Sequence, residues 1–223
     1  MILNNKTNIN IGGDHSMGIG SVGASLNKYG PGLKVIWIDA HADINTRKSS
    51  PSGNFHGMPL AFLTGLDKSD DFDYICNLLP FENLCYIGIR DLDEEEISVV
   101  KKHNIKTVLT ENFNNHIDTV IENIINWVGN SPVHISFDVD SLDPKYIQYT
   151  GTRVSEGLDL DQLVKFMGNM CASTDVKNID LSELNLYNPD CVSLLDDEKT
   201  KSFDNFNLVL ETIRQSLVTK TTK

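Results

Sequence analysis

LKVIWIDAHADINTRKSSPSGNFHG, residues 33–57, decides how this chain folds. Residues 35–38, VIWI, are apolar without polar alternation, which suits a strand buried on both faces of a parallel sheet. Directly after them the side chains change character, to Asp39, His41 and Asp43. Strand residues two apart share a face, so these three converge on one point if the extended geometry continues past the apolar run. The carboxyl end of a buried strand is also where open α/β sheets hold their ligands. The plainer reading is a polar loop that carries two acids and a histidine by chance. Short motifs have real false-positive rates, so ligands elsewhere in the chain must decide between the two.

Outward from this stretch, strand and helix alternate. Upstream, residues 9–11 read as the tail of a strand, and a helix runs from Ser16 to the Gly30-Pro31 stop. Gly18, Gly20 and Gly23 form G-x-G-x-x-G, with Asp39 about twenty residues on, which imitates a dinucleotide fingerprint. That fingerprint begins at the strand-to-helix turn, whereas Gly12-Gly13-Asp14-His15 occupies the turn here. The three glycines are therefore read as close-packing positions inside the helix.

Downstream, residues 84–89 form an apolar strand ending at Arg90-Asp91, and Asp93 caps a helix with Glu94, Glu95 and Glu96 in its first turn and Lys101, Lys102 and His103 in its last. The run of glutamates reads as capping and solvation. Residues 105–109 are a strand. Ile117, Val120, Ile121, Ile124, Ile125 and Val128 make the buried stripe of a helix that stops at Gly129. Residues 133–139 are a buried strand ending in Asp138-Val139-Asp140, residues 160–170 a helix, 179–184 a strand, and 206–217 the closing helix. The alternation predicts an α/β fold, a three-layer sandwich of a mainly parallel sheet with helices on both faces. Nothing in the composition divides the chain, so one domain over residues 1–223 is expected.

The bulk numbers exclude several function classes. With 223 residues the chain can bury one sizeable core. Nineteen Lys and Arg against 31 Asp and Glu give a net charge of -12, with no basic run to track a phosphate backbone, so nucleic acid is not an expected partner. A cationic substrate or bound divalent metals suit that sign. Cys76, Cys85, Cys171 and Cys191 lie far apart without a C-x-x-C pair, which indicates reduced thiols. The first ten residues have neither the basic start nor the apolar core of a signal peptide, and no run is long enough to span a membrane. A cytoplasmic protein is expected.

Three strand ends now carry metal-type residues: His15 after the first, Asp39, His41 and Asp43 after the second, Asp138 and Asp140 after the third. Four carboxylates and two imidazoles are too many for one ion but suit two ions that share bridging carboxylates. Four Asp also neutralise two divalent cations, and without them would repel one another at short range. Oxygen-rich coordination with about one imidazole per ion argues for Mn²⁺ over zinc. Water bridging two such ions ionises near neutral pH, so hydrolysis at an electrophilic carbon is the implied reaction. His56, on the loop leaving the metal strand, is the candidate for proton transfer. His103, His116 and His134 are read as structural.

GGDHS at 12–16, DAHADINT at 39–46, SPSGNFHGMP at 50–59, SFDVDSLDP at 136–144 and TGT at 150–152 together resemble the ureohydrolases, and specifically the arginases. The resemblance runs from Ile11 to the closing helix. It implies hydrolysis of L-arginine to ornithine and urea on two Mn²⁺ per chain, through a hydroxide that bridges the metals. Carried over residue by residue, His15, Asp39, Asp43 and Asp138 hold one ion, and Asp39, His41, Asp138 and Asp140 the other. Asp43 also orients the nucleophile, and His56 passes a proton to the leaving amine. Asn45, Ser52 and Asn54 fall where arginases bind the substrate α-carboxylate, and Asp91 and Asp93 in the segment that recognises the α-amino group. Glu183, in DLSEL, resembles the acid beside the guanidinium, and Thr152 a pocket residue near it. Trimers or hexamers are implied as well.

The chain departs from that pattern in three places. It starts almost at GGDHS, so the first strand region of the family is expected to be absent and a sheet edge uncovered. Arg153 and Glu156 follow TGT where small residues or proline are usual, and Leu186-Tyr187-Asn188 reads as an insertion. Two other readings stay open: an agmatinase-type ureohydrolase, whose substrate has no α-carboxylate, and a truncated, non-catalytic ureohydrolase-like binding or regulatory protein. The N-T…S-G-N arrangement argues against the first, and the filled ligand positions against the second.

Overall fold

Among the described residues, six parallel strands form one sheet in the order β1-β6-β5-β2-β3-β4. They are β1 (Asn8–Ile11), β2 (Lys34–Ile38), β3 (Leu84–Ile87), β4 (Lys106–Val108), β5 (Pro132–Asp138) and β6 (Asp175–Ser182). The computed structural model describes residues 6–187 and 196–221. Asn188 of the expected insertion and Cys191 lie outside them.

Alternate side chains of the buried strands supply two cores, as expected for a sheet covered on both faces. Val35, Trp37, Leu84 and Tyr86 pack on one face with Leu26 of α1 (Met17–Tyr29), Leu60 and Leu63 of α2 (Pro59–Thr64) and Val99 of α3 (Glu94–Lys102). Ile36, Ile38, Cys85, Ile87, Ile135 and Phe137 pack on the other with Phe113 of α4 (Thr110–Asn115), the stripe of α5 (Ile117–Val128), α6 (Leu160–Ser173) and α7 (Asp196–Thr221). The α4 turn is an element that the periodicity does not reveal. No helix among the described residues is long and apolar enough to cross a membrane.

The glycines of the dinucleotide-like pattern lie inside α1, in keeping with the packing reading for two of them. A Cβ on Gly18 would sit 2.8 Å from Trp37 Cη2, and one on Gly23 3.0 Å from Ile75 Cγ1. Gly20 faces open space and packs against nothing, which corrects the expectation for that position.

Chain order reverses between β2 and β5, since β3 and β4 lie on one side of β2 while β5 returns to the other. Ligand crevices form at such a switch point. Register then sets the chemistry: Ile38 pairs with Phe137, so Asp39 and Asp138 leave the sheet side by side. Asp138 in turn pairs with Ser182, which places Glu183 next to them at the end of β6.

Candidate metal centre and its cleft

The segment after β2 does not remain extended, so the shared strand face is not what gathers its ligands. Residues 39–45 form an irregular loop in which Asp43 takes φ +49, in the left-handed region. Backbone bends bring the side chains together, and neighbouring elements hold the bends. Ala40 O accepts from the N–H groups of Arg90 and Asp91, and Asp43 O from that of Leu60. The Tyr86 hydroxyl donates to Ala42 O at 2.7 Å. The Ile44 N–H donates to Glu96 Oε1 at 3.3 Å. Glu183 also sits at positive φ, +66. Such conformations cost energy and persist where the surroundings over-determine them.

The six expected ligands meet in one buried cluster. His15 Nδ1 lies 2.9 Å from Asp39 Oδ2, 3.1 Å from Asp43 Oδ2 and 3.2 Å from Asp138 Oδ2. His41 Nδ1 lies 3.2 Å from Asp140 Oδ2 and 3.4 Å from Asp39 Oδ1. The sets His15–Asp39–Asp138 and Asp39–His41–Asp140 each place their ligand atoms close enough together to hold one ion, with Asp39 common to both.

Electrostatics within the cluster call for a cation. Burial, then the charges of neighbouring aspartates, raise the pKa of Asp43, Asp138 and Asp140 above the usual carboxylate range. Burial also works against charge on Asp39, but hydrogen bonds and attraction to His15 and His41 outweigh it and hold Asp39 below that range. Burial opposes protonation of both histidines, yet their carboxylate partners prevail: His15 is held well above its usual value and His41 up to about 12. Four acids buried together favour whatever positive charge enters among them.

Four neighbours escaped the sequence reading. Trp37 stacks on the His15 ring, centroids 4.0 Å apart, and donates from Nε1 to Asp39 Oδ2 at 3.0 Å. Ser136 Oγ lies 2.9 Å from His15 Nε2. Both sit two residues before a ligand, so strand parity with Asp39 and Asp138 would have found them. Glu96 keeps its capping role but not its solvation: Glu94 and Glu95 are exposed, whereas Glu96 is buried, closes a capping box with Asp93 and holds the Ile44 N–H. Asp-x-x-Glu was its signal. Arg90 had none. His134, by contrast, fits its structural reading, since it is fully buried between Ser25 Oγ at 2.8 Å and Asp180 Oδ2 at 2.8 Å.

A cleft of about 550 Å³, mouth included, opens over the cluster. His15, His41, Asp43, Asp138, Asp140, Asn45, Ser52, His56, Asp93, Thr152 and Glu183 all line it. Thr152 Oγ1 donates to Asp140 Oδ2 at 2.7 Å, and Asn45 Nδ2 to Asp93 Oδ2 at 2.8 Å. Glu183 Oε1 accepts the His15 N–H at 2.7 Å and lies 3.7 Å from His56 Nδ1. Burial raises the pKa of Glu183, partly offset by the His15 N–H and by His56. Two expected substrate residues lie apart. Asn54 lines the neighbouring groove instead, with Phe55, Phe72 and Tyr74. The Asp91 side chain is 68% exposed outside the cleft lining, its Oδ2 3.8 Å from His41 Nε2.

Residues 1–190 match the model of the arginase family. An arginase of Staphylococcus aureus strain MRSA252 is 43% identical over 188 residues, covering 82% of this chain and 62% of the relative. An arginase of Coccidioides immitis is 44% identical over 163 residues, covering 68% of this chain and 51% of the relative. The chain thus spans between half and two thirds of the length of these curated relatives. Among solved structures, Entamoeba histolytica arginase in complex with L-ornithine superposes with a TM-score of 0.85 at 31% identity, over 95% of this chain and 70% of that one.

Proposed function

The chain belongs to the arginase family, and from that premise we propose that it hydrolyses the guanidinium group of L-arginine, giving L-ornithine and urea. One observation carries the reading: four carboxylates and two imidazoles from three strand ends meet at the floor of a cleft whose wall holds Glu183 and His56.

The donor set fits two Mn²⁺, being oxygen-rich with one imidazole for each ion. His15, Asp39, Asp43 and Asp138 would hold the first, and Asp39, His41, Asp138 and Asp140 the second. Two divalent ions supply Lewis-acid activation of water near neutral pH. The protein's own residues do the rest. Asp43, fixed by its backbone turn, accepts a hydrogen bond from the attacking water and points it at the guanidinium carbon. Glu183, anchored by the His15 N–H, pairs with the guanidinium and sets its plane, and Thr152 lines the same cleft. As the carbon–nitrogen bond to the side-chain amine breaks, that amine needs a proton. His56 stands at the mouth of the cleft, where it can take one from solvent and deliver it. Within the cleft, Asn45 and Ser52 receive the α-carboxylate and Asp93 the α-ammonium group; Asn54 and Asp91, the other two expected contacts, stand outside its lining.

Asn54 outside the cleft and Asp91 largely in solvent favour a second reading, a substrate such as agmatine that carries no α-carboxylate. Urea release from protein incubated with Mn²⁺ and L-arginine, beside agmatine and beside an EDTA-treated sample, separates the two. Urea from L-arginine that disappears with EDTA is the expected result. Release from agmatine alone would transfer the assignment, and none from either with two Mn²⁺ bound would leave a ureohydrolase-like binding or regulatory protein.

A further inference from the structure

Arg90 has every guanidinium N–H committed to a backbone carbonyl. Nε donates to Ser155 O at 2.9 Å, Nη1 to Gly88 O at 3.0 Å and Ser141 O at 3.1 Å, and Nη2 to Asp140 O at 2.9 Å and Val154 O at 2.8 Å. Those carbonyls belong to three separate segments: the end of β3, the turn after β5 that carries Asp140, and the irregular stretch 151–156 that carries Thr152.

That stretch needs holding. It has no helix or strand, and all of it except Val154 is exposed. Its far end is pinned beyond Glu156. Leu158 bridges to Leu142, and a Cβ on Gly157 would lie 2.3 Å from the Asp143 backbone nitrogen. Between its ends, the hydrogen bonds tying residues 151–156 to the body, among the described residues, are the two from Arg90 and the one from Thr152 to Asp140 Oδ2. Together they close a ring. Arg90 grips the Asp140 backbone, the Asp140 carboxylate takes the Thr152 hydroxyl, and two residues on the chain returns to Arg90.

We propose that Arg90 is a positioning residue that locks the Thr152 segment against the backbone of Asp140 and thereby aims the Asp140 carboxylate at the metal cluster. This rests on the proposed function only for the use to which the cleft is put. A planar five-donor fork can span three segments, whereas a lysine ammonium donates from a single point and cannot.

Arg90→Lys, which keeps the charge, tests it. Cleavage by trypsin after the exposed Arg153 should quicken at least tenfold while hydrogen exchange of the β5 amides stays within twofold; a merely structural role would loosen both. In Mn²⁺ titrations the site that Asp140 shares with His41 should lose about tenfold in affinity and the site of His15 stay within twofold. With L-arginine, KM should rise by a larger factor than kcat falls. Cleavage after Arg153 within twofold of wild type, in a folded variant, overturns the proposal. If Arg90→Lys does not fold, the wild-type protein decides. Separately resolved, slowly exchanging Arg90 Nη protons in nitrogen-15 NMR spectra are expected, and one averaged, rapidly exchanging signal overturns the clamp. Cleavage, exchange and NMR readouts need no catalysis, so failure of the proposed reaction and failure of the clamp are told apart.

Discussion

Replacing Glu96 by alanine removes an acceptor that two backbone donors share. Oε1 takes the Ile44 N–H at 3.3 Å and Oε2 the Asp93 N–H at 3.0 Å, and the Glu96 residue is 5% exposed. A buried donor left without a partner costs about 1–3 kcal/mol. Ile44 is buried, whereas Asp93 is exposed at the N-terminus of α3. Taking a mid-range value for Ile44 and the low end for Asp93 gives a loss of about 3 kcal/mol. In a chain of this size that lowers Tm by roughly 6–12 °C. The assay is urea denaturation followed by circular dichroism with EDTA present throughout, so that metal binding does not enter the comparison. Glu95→Ala is the control, since Glu95 neighbours Glu96 in sequence but is exposed, and it should stay within about 0.5 kcal/mol of wild type. Equal losses in the two variants, or a loss for Glu96→Ala below about 0.5 kcal/mol, would refute the reasoning.

Asp138→Ala should abolish the stabilisation by Mn²⁺, which for wild type amounts to about 2.7 kcal/mol at a hundredfold excess over Kd; thermal unfolding with and without the ion measures it. Gly18→Ala drives a methyl group toward Trp37, which itself braces His15 and Asp39, and should cost about 1–3 kcal/mol, whereas Gly20→Ala meets open space and should gain about 0.5–1 kcal/mol. Chemical denaturation of both variants decides. At the surface, a hydrogen bond from Arg47 opposes the small burial cost at Asp67 and holds its pKa down to about 2, below its unfolded value. A depressed carboxylate pKa adds stability that is complete above the unfolded value and is lost as pH falls from about 4 toward 2. Arg47→Ala should raise the Asp67 pKa toward the ordinary range, with the N–H groups of residues 47 and 68 still holding part of the shift, as read from its carboxyl carbon shift in a pH titration.

Much of this molecule is legible in local pattern. The apolar runs around Trp37 and Phe137, the 3.6-residue stripe from Ile117 to Val128 and the stops at Gly30 and Gly129 announce their elements, because burial on one or two faces imposes a period on the residues themselves. The metal-type side chains at three strand ends were legible for a related reason: in a parallel sheet every strand delivers its carboxyl end to the same side. Local pattern did not reveal how the ligands after β2 converge. The left-handed turn at Asp43 is held by bonds donated by Leu60, Tyr86 and Arg90 and by one accepted by Glu96, all outside the loop itself.

What the sequence by itself determined, then, is the order of the strands and of the longer helices, the two buried faces of the sheet, and which acids and histidines stand at strand ends. Tertiary structure alone decided that Glu96 is buried while Glu94 and Glu95 are solvated, that Asn54 turns to the neighbouring groove, and that Arg90 gathers carbonyls from residues 50 to 65 positions away. Periodicity records whether a side chain meets water or protein. A hydrogen bond's partner depends on which distant segment the fold brings within about 3 Å, and no local pattern carries that information.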